Sequence, residues 1–221
     1  MKISLLVMSV AMVTVAAGSA VAAPTGSAPR TGFEAELSAI QDQWAVANYQ
    51  ITDQDARKRA FEALSAQAHQ LSERNPQRAE ALIWEGIVLS TYAGVKGGLG
   101  ALGLAKQSRK VLEAALKVDP NALQGSAYTS LGALYSKVPG FPVGFGDDDK
   151  ARELLTHALA VNPDGIDANY FYAEFLCDEG KCSEAVPYLE KALGAPPRPG
   201  RELADAGRQR EVRELLAKAK H

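Results

Sequence analysis

Residues 125–163, GSAYTSLGALYSKVPGFPVGFGDDDKARELLTHALAVNP, hold the pattern on which the fold turns. Tyr128, Leu131, Gly132 and Tyr135 are three and four positions apart, so in a helix they share one face. Gly132 falls where a second helix would cross, and its missing Cβ shortens the approach. Ala151, Leu155, Ala158 and Leu159 repeat the helical spacing downstream. Pro163 then stops the helix, because it has no amide hydrogen to continue the ladder. The stretch therefore reads as two helices folded against each other, joined by the Gly/Pro-rich segment SKVPGFPVGFGDDD.

The same ending occurs three times. Leu112, Ala115, Leu116 and Pro120 form one copy; Leu155, Ala158, Leu159 and Pro163 the next; Leu189, Ala192, Leu193 and Pro197 the last. Self-similarity on this scale is the mark of stacked helical hairpins. The partner helices carry stripes of their own: Leu82, Gly86 and Leu89 in one, and Asn169, Tyr172, Ala173 and Leu176 in another, which turns at Gly180 into the buried Ala185 face. The prolines at 76, 120, 163 and 197 are 44, 43 and 34 residues apart, so two units are longer than the last. Insertions in repeat arrays map to loops, which predicts two Gly-rich loops, AGVKGGLGALGLA and SKVPGFPVGFGDDD.

Working outward, residues 33–49 and 54–74 form one more helix pair, buried through Trp44, Phe61, Leu64, Ala68 and Leu71. After Pro197 and Pro199 a last helix covers about 201–219, with Leu203, Val212, Leu215 and Leu216 as a thin apolar stripe. That is the pattern of a terminal cap with one face in water. Its arginines and carboxylates interleave, which reads as a solvated, ion-paired helix. No strand-type alternation is present. The chain is expected to be all-α, with repeat units at about 33–76, 77–120, 121–163 and 164–197 and a cap at 201–219.

On these residues the chain resembles the tetratricopeptide repeat (TPR), whose pattern runs aromatic, Leu-Gly, Tyr, turn Gly, Ala, Leu, Ala and Pro. Tyr128, Leu131, Gly132, Tyr135, Ala151, Leu155, Ala158 and Pro163 match in one unit; Gly180, Ala185, Leu189, Ala192 and Pro197 match in the next. The resemblance implies a TPR-like superhelix of helical hairpins, a right-handed α-solenoid with a concave inner surface. GGLGALGLAKQ, LGALYSKVPGFPVGFGDDDKARELL, DANYFYAEFL and APPRPGRELADAGR are further similar to periplasmic TPR-like proteins related to the T component of TRAP transporters. That likeness implies association with a periplasmic solute-binding protein. The lipid-bearing cysteine of the best-known members is missing from this chain.

The N-terminus reads as an export signal. Lys2 precedes the apolar run LLVMSVAMVTVAA (5–17), and Ala20-Val21-Ala22 is an A-x-A cleavage site. Residues 1–22 are expected to be removed and 23–32 to form a disordered linker. The run is short for a membrane span, so the mature chain is expected to be periplasmic or secreted, with no span left. Net charge is −2, from 24 basic and 26 acidic side chains, which offers no footprint for nucleic acid.

No enzyme signature emerges. Gly98-x-Gly100-x-x-Gly103 fits a dinucleotide fingerprint, but that mechanism needs a preceding strand, so no cofactor is expected. Asp147, Asp148 and Asp149 lack the alternation of a calcium loop; an aspartate here caps the helix that follows. His69, His157 and His221 are scattered, without a partner at ligand spacing, so no metal is expected. Cys177 and Cys182 flank the turn of a hairpin, and in an exported chain a disulfide is preferred. Two buried thiols or a redox pair are the other readings.

What is left is binding. By register in the TPR pattern, Tyr170, Glu174 and Asp178 are expected to face the concave groove, though singly the aromatics of NYFYAEF read as core. Two roles fit: a scaffold that holds a protein or peptide in the groove or against the inserted loops, or a carrier that holds an apolar molecule between the stack and the loop bearing Phe141, Pro142 and Phe145.

Overall fold

A computed structural model describes residues 32–220. The expected export signal and nearly all of the expected linker lie outside the described residues. Within them the order is α1 (Gly32–Tyr49), α2 (Gln54–Arg74), α3 (Ala79–Lys96), α4 (Gly98–Val118), α5 (Ala122–Lys137), α6 (Asp148–Val161), α7 (Ile166–Asp178), α8 (Cys182–Leu193) and α9 (Glu202–Ala219). No strand occurs among the described residues, and no helix there is long and apolar enough to cross a membrane.

Local chemistry sets many of the boundaries. Asp53 caps α2 by accepting from the Ala56 amide at 2.7 Å, and Asp147 caps α6 by accepting from the Lys150 amide at 2.9 Å. Each satisfies a backbone donor that the first helical turn leaves open. Helices α2, α4 and α6 stop one residue ahead of an X-Pro step, at Asn75, Asp119 and Asn162.

Consecutive helices pack as antiparallel hairpins, and small residues on one helix receive leucines from the other. A Cβ on Gly132 would lie 2.5 Å from Leu155 Cγ. Gly86 is placed the same way over Leu112, and its carbonyl accepts from the buried Ser108 hydroxyl at 2.7 Å. In the last unit the corresponding residues, Ala173 and Leu189, are both fully buried in one cluster. Leu112, Leu155 and Leu189 have no solvent exposure. Between α2 and α3 the link is polar: buried Glu85 meets His69 Nδ1 at 2.8 Å and the Ser72 hydroxyl at 2.5 Å. His69 also lies 3.3 Å from Glu73, so it does have carboxylate neighbours, contrary to the expectation from sequence. The Glu85 hydrogen bond raises the His69 pKa.

The first long unit is built differently from its sequence reading. AGVKGGLGALGLA is not a loop. The turn is confined to Gly97 and Gly98, whose positive φ values of 61° and 62° suit glycine, and helix α4 starts there. The surplus lengthens the helices: α3 has 18 residues and α4 has 21, against 13 and 12 in α7 and α8. Burial of Ala105, Ser108 and Leu112 on one face outweighs the helix-weakening effect of Gly100 and Gly103. The second insertion, 138–147, is a loop as expected. It folds on itself through Gly146 N to Pro139 O and is tied to α5 by Asp147 N to Tyr135 O.

The odd-numbered helices form the inner layer. Helix α1 touches α3, α3 touches α5, and α5 touches α7. The last helix was expected to be a one-sided cap, but α9 touches both α7 and α1. The inner layer is therefore a ring of five helices. At the seam Gly207 passes over Tyr49, where a Cβ would lie 2.5 Å from ring carbons.

Two substitutions probe the hairpin packing. Leu155→Ala is expected to cost about 2–5 kcal/mol, as a cavity under a fully buried leucine does. Gly132→Val is expected to destabilise as well, by forcing a side chain into Leu155. Denaturant midpoints at unchanged slope measure both.

Candidate functional site

The ring surrounds a partly enclosed cavity of about 730 Å³ to which all five inner helices contribute. Trp44 comes from α1; Trp84, Ile87 and Thr91 from α3; Thr129, Ser130 and Leu134 from α5; Phe171 from α7; and Arg208 from α9. The Pro-rich segment 196–201, between α8 and α9, forms a further wall with Arg198 and Arg201.

The tryptophans are held in place. Their rings meet edge to face with centroids 6.0 Å apart, and Trp44 Nε1 donates to Thr91 Oγ1 at 3.0 Å. The Thr91 hydroxyl in turn donates to the Ile87 carbonyl at 2.9 Å. The start of α5 is strained at the cavity wall. Leu123 and Gln124 take φ values of 48° and 55°, a left-handed conformation that costs non-glycine residues about 1–2 kcal/mol each.

An ion network locks the seam. Arg208 Nε bonds to Asp167 Oδ1 at 2.8 Å and Arg208 Nη1 to Glu211 Oε2 at 2.7 Å; Arg198 Nη1 reaches Asp167 Oδ2 at 2.6 Å, and Arg198 Nε reaches Asp205 Oδ1 at 2.7 Å. Tyr49 OH closes the chain of bonds onto Glu211 at 3.2 Å. The Arg208 side chain is only 10% exposed, and its guanidinium stacks 4.4 Å from the Tyr170 ring and 4.5 Å from Phe171. Burial by itself would raise the Asp167 carboxyl; Arg208 and then Arg198 overcome it and hold the group well below the usual carboxylate range. Burial, countered in part by Arg208, pushes the Tyr49 phenol up to about 12.

Among the sequence-picked residues, none of Tyr170, Glu174, Asp178, Phe141 and Phe145 lines this cavity. Tyr170 is buried in the core with its hydroxyl on Glu174 at 3.2 Å. The cavity face of α7 is one position round, at Ala168 and Phe171. Glu174 and Asp178 both engage Lys137 of α5. Phe145 anchors the second loop, its ring 5.4 Å from Tyr135 and under the Arg109 guanidinium at 4.4 Å. Phe141 points outward and is 93% exposed. The cavity thus lies away from the loop against which an apolar ligand was expected. Cys177 and Cys182 are joined by a disulfide across the α7–α8 turn.

The fold and this interior together define the class: a TPR-type array of helical hairpins whose inner layer is closed by its last helix. Among solved structures, TTC0263, a thermophilic TPR protein of Thermus thermophilus, superposes with a TM-score of 0.55 at 21% identity, over 85% of this chain and 89% of that one. MamA aligns with a TM-score of 0.44 at 18% identity over 77% and 93% of the two chains, and pilF of Pseudomonas aeruginosa with 0.36 at 15% over 86% and 90%. The likeness to the first is one of fold. No protein-family model and no curated protein sequence matches the chain.

Arg208→Ala is expected to cost about 1.5–3 kcal/mol, because it removes a nearly buried guanidinium stacked on Tyr170 and Phe171 and leaves Asp167 with Arg198 alone. Asp167 has a folded pKa below its unfolded value of about 4. Its contribution is therefore complete above that pH and is lost as pH falls through the depressed folded value. Acid titration of the wild type should show an unfolding step that Asp167→Asn removes.

Proposed function

We propose that this chain is an exported, non-catalytic binding module of the cell envelope that holds a small ligand inside its helical ring. The observation that carries the reading is the cavity: its volume of about 730 Å³ falls within the roughly 300–1,000 Å³ typical of small-molecule sites. Apolar walls with a few fixed polar groups are the usual make-up of such sites. The lining groups are also committed in ways that suit holding rather than reacting. Asp167 is taken by two arginines and Asp164 by Lys191 at 3.2 Å, while the Ser90, Thr91 and Ser126 hydroxyls donate to helix carbonyls.

The N-terminal export signal supports periplasmic or secreted placement. The resemblance of the four stretches GGLGALGLAKQ, LGALYSKVPGFPVGFGDDDKARELL, DANYFYAEFL and APPRPGRELADAGR to transporter T-component-like proteins supports a role beside a solute-binding protein, with the ring as the accessory ligand carrier. A second reading, docking of a protein partner, is favoured by the loop at 138–147, where Phe141 is 93% and Val143 is 66% exposed.

Trp44 and Trp84 are the chain's two tryptophans, and both line the cavity, so indole emission reports its occupancy. Decanol is expected to shift that emission saturably at one molecule per chain, and Ala133→Trp, which fills the cavity wall, to abolish the decanol binding measured by calorimetry. No saturable shift would sink the carrier reading. The double variant Phe141→Ala, Val143→Ser is expected to keep decanol binding and wild-type stability while losing partner capture from an envelope fraction. Protein recovered from the periplasm is expected to begin at Ala23; an unprocessed cytosolic product would overturn the placement.

A further inference from the structure

The charges around the cavity do not all find partners. Arg198 is matched by Asp167 and Asp205, and Arg208 by Asp167 and Glu211. Asp164 is matched by Lys191. Arg201 differs. It lines the same cavity, and no carboxylate among the described residues forms a salt bridge with it. Its guanidinium lies 4.7 Å over the Trp84 ring, a face that supplies electron density and no formal charge.

From this we infer that the ring interior is a site for a small monocarboxylic acid with an apolar body, its carboxylate bound by Arg201. The inference rests on the reading of the cavity as a ligand site and adds the ligand's charge. A planar guanidinium with open N–H donors matches a carboxylate in shape as well as charge. Its open N–H donors are met by one carboxylate; a second negative charge would enter a half-enclosed site that already holds Asp167 and Asp164, and desolvating it there is costly. Ile87, Leu134, Phe171 and Pro197 supply apolar wall for the rest of the molecule. Thr129 and Ser130 on α5 add neutral hydroxyls. A free acid fits the ring better than a chain terminus, since a peptide would have to thread its remaining length out of the helical enclosure.

The electrostatics agree with the geometry. Burial first, and Arg198 second, lower the Arg201 pKa in spite of Asp167, Asp205 and Asp42 nearby. A guanidinium does not shed its proton for that reason. The direction reflects a guanidinium held away from water beside a second one.

The test compares three probes with one ten-carbon body on the mature protein: decanoate, decanol and decyltrimethylammonium, each followed by tryptophan emission and calorimetry. Decanoate is expected to bind about tenfold or more tighter than decanol, as a charge-assisted hydrogen bond allows, with the cation weakest. Arg201→Gln is expected to remove the preference for decanoate, so that it and decanol bind that variant alike. Arg201→Lys, which keeps the charge, is expected to keep part of the preference. Far-ultraviolet circular dichroism and the thermal midpoint show that each variant is folded. Equal affinities for decanoate and decanol in the wild type, or a preference that survives Arg201→Gln, overturn the proposal and leave the cavity reading standing. Binding by none of the three overturns both. Acetyl-Leu-Leu with a free C-terminus, set against its amide, covers the chain-terminus case: tighter binding than decanoate through Arg201 would reassign the site to peptide ends and overturn the free-acid proposal.

Discussion

Leucine against a residue with little or no side chain is the contact on which this molecule depends. Gly86 faces Leu112, Gly132 faces Leu155, and Ala173 shares a fully buried cluster with Leu189. A helix can approach its neighbour closely only where a Cβ is absent or alone, and a leucine filling that gap leaves no void. Protein interiors tolerate neither voids nor overlap at the scale of a methylene. The three central hairpins are therefore each fixed in spacing by one such pair, and the stack inherits that spacing. The inner helices then hold Trp44, Trp84, Leu134 and Phe171 around a common centre.

Closure of the inner layer changes what the concave face can do. An open solenoid offers an extended surface suited to a partner's chain. Here α9 fills the gap between α7 and α1, with Gly207 against Tyr49 and Arg208 between Asp167 and Glu211. The face becomes a cavity of small-molecule dimensions. The ion network suits the position. A buried charge pair contributes little against an apolar alternative but is severe when halved, so it fixes one arrangement of the seam more than it adds stability.

The outer surface carries a different kind of feature. Phe145 tucks beneath Arg109 and against Tyr135, which frees the loop tip from any duty in the core. Phe141 and Val143 stand out from that anchored base. The loop and the ring interior are separate surfaces: Phe141 and Val143 are absent from the cavity lining.

The hairpins could be read from the sequence because their determinants are local: apolar spacing of three and four, an aspartate at a helix start, and a proline at an end act within a few residues. The same holds for Cys177 and Cys182, five residues apart across one turn. Tertiary structure decided the rest. Helix α4 begins at Gly98 because burial of Ala105, Ser108 and Leu112 outweighs what the glycines prefer locally. The cavity face of α7 fell on Phe171 rather than Tyr170 because a rotation of one residue, about 100°, is set by how hairpins lean on each other. Arg208 pairs with an aspartate 41 residues away, and Arg201 finds none. Charge pairing at that range depends on how α9 docks against α7 and α1, and no spacing along the sequence encodes that docking.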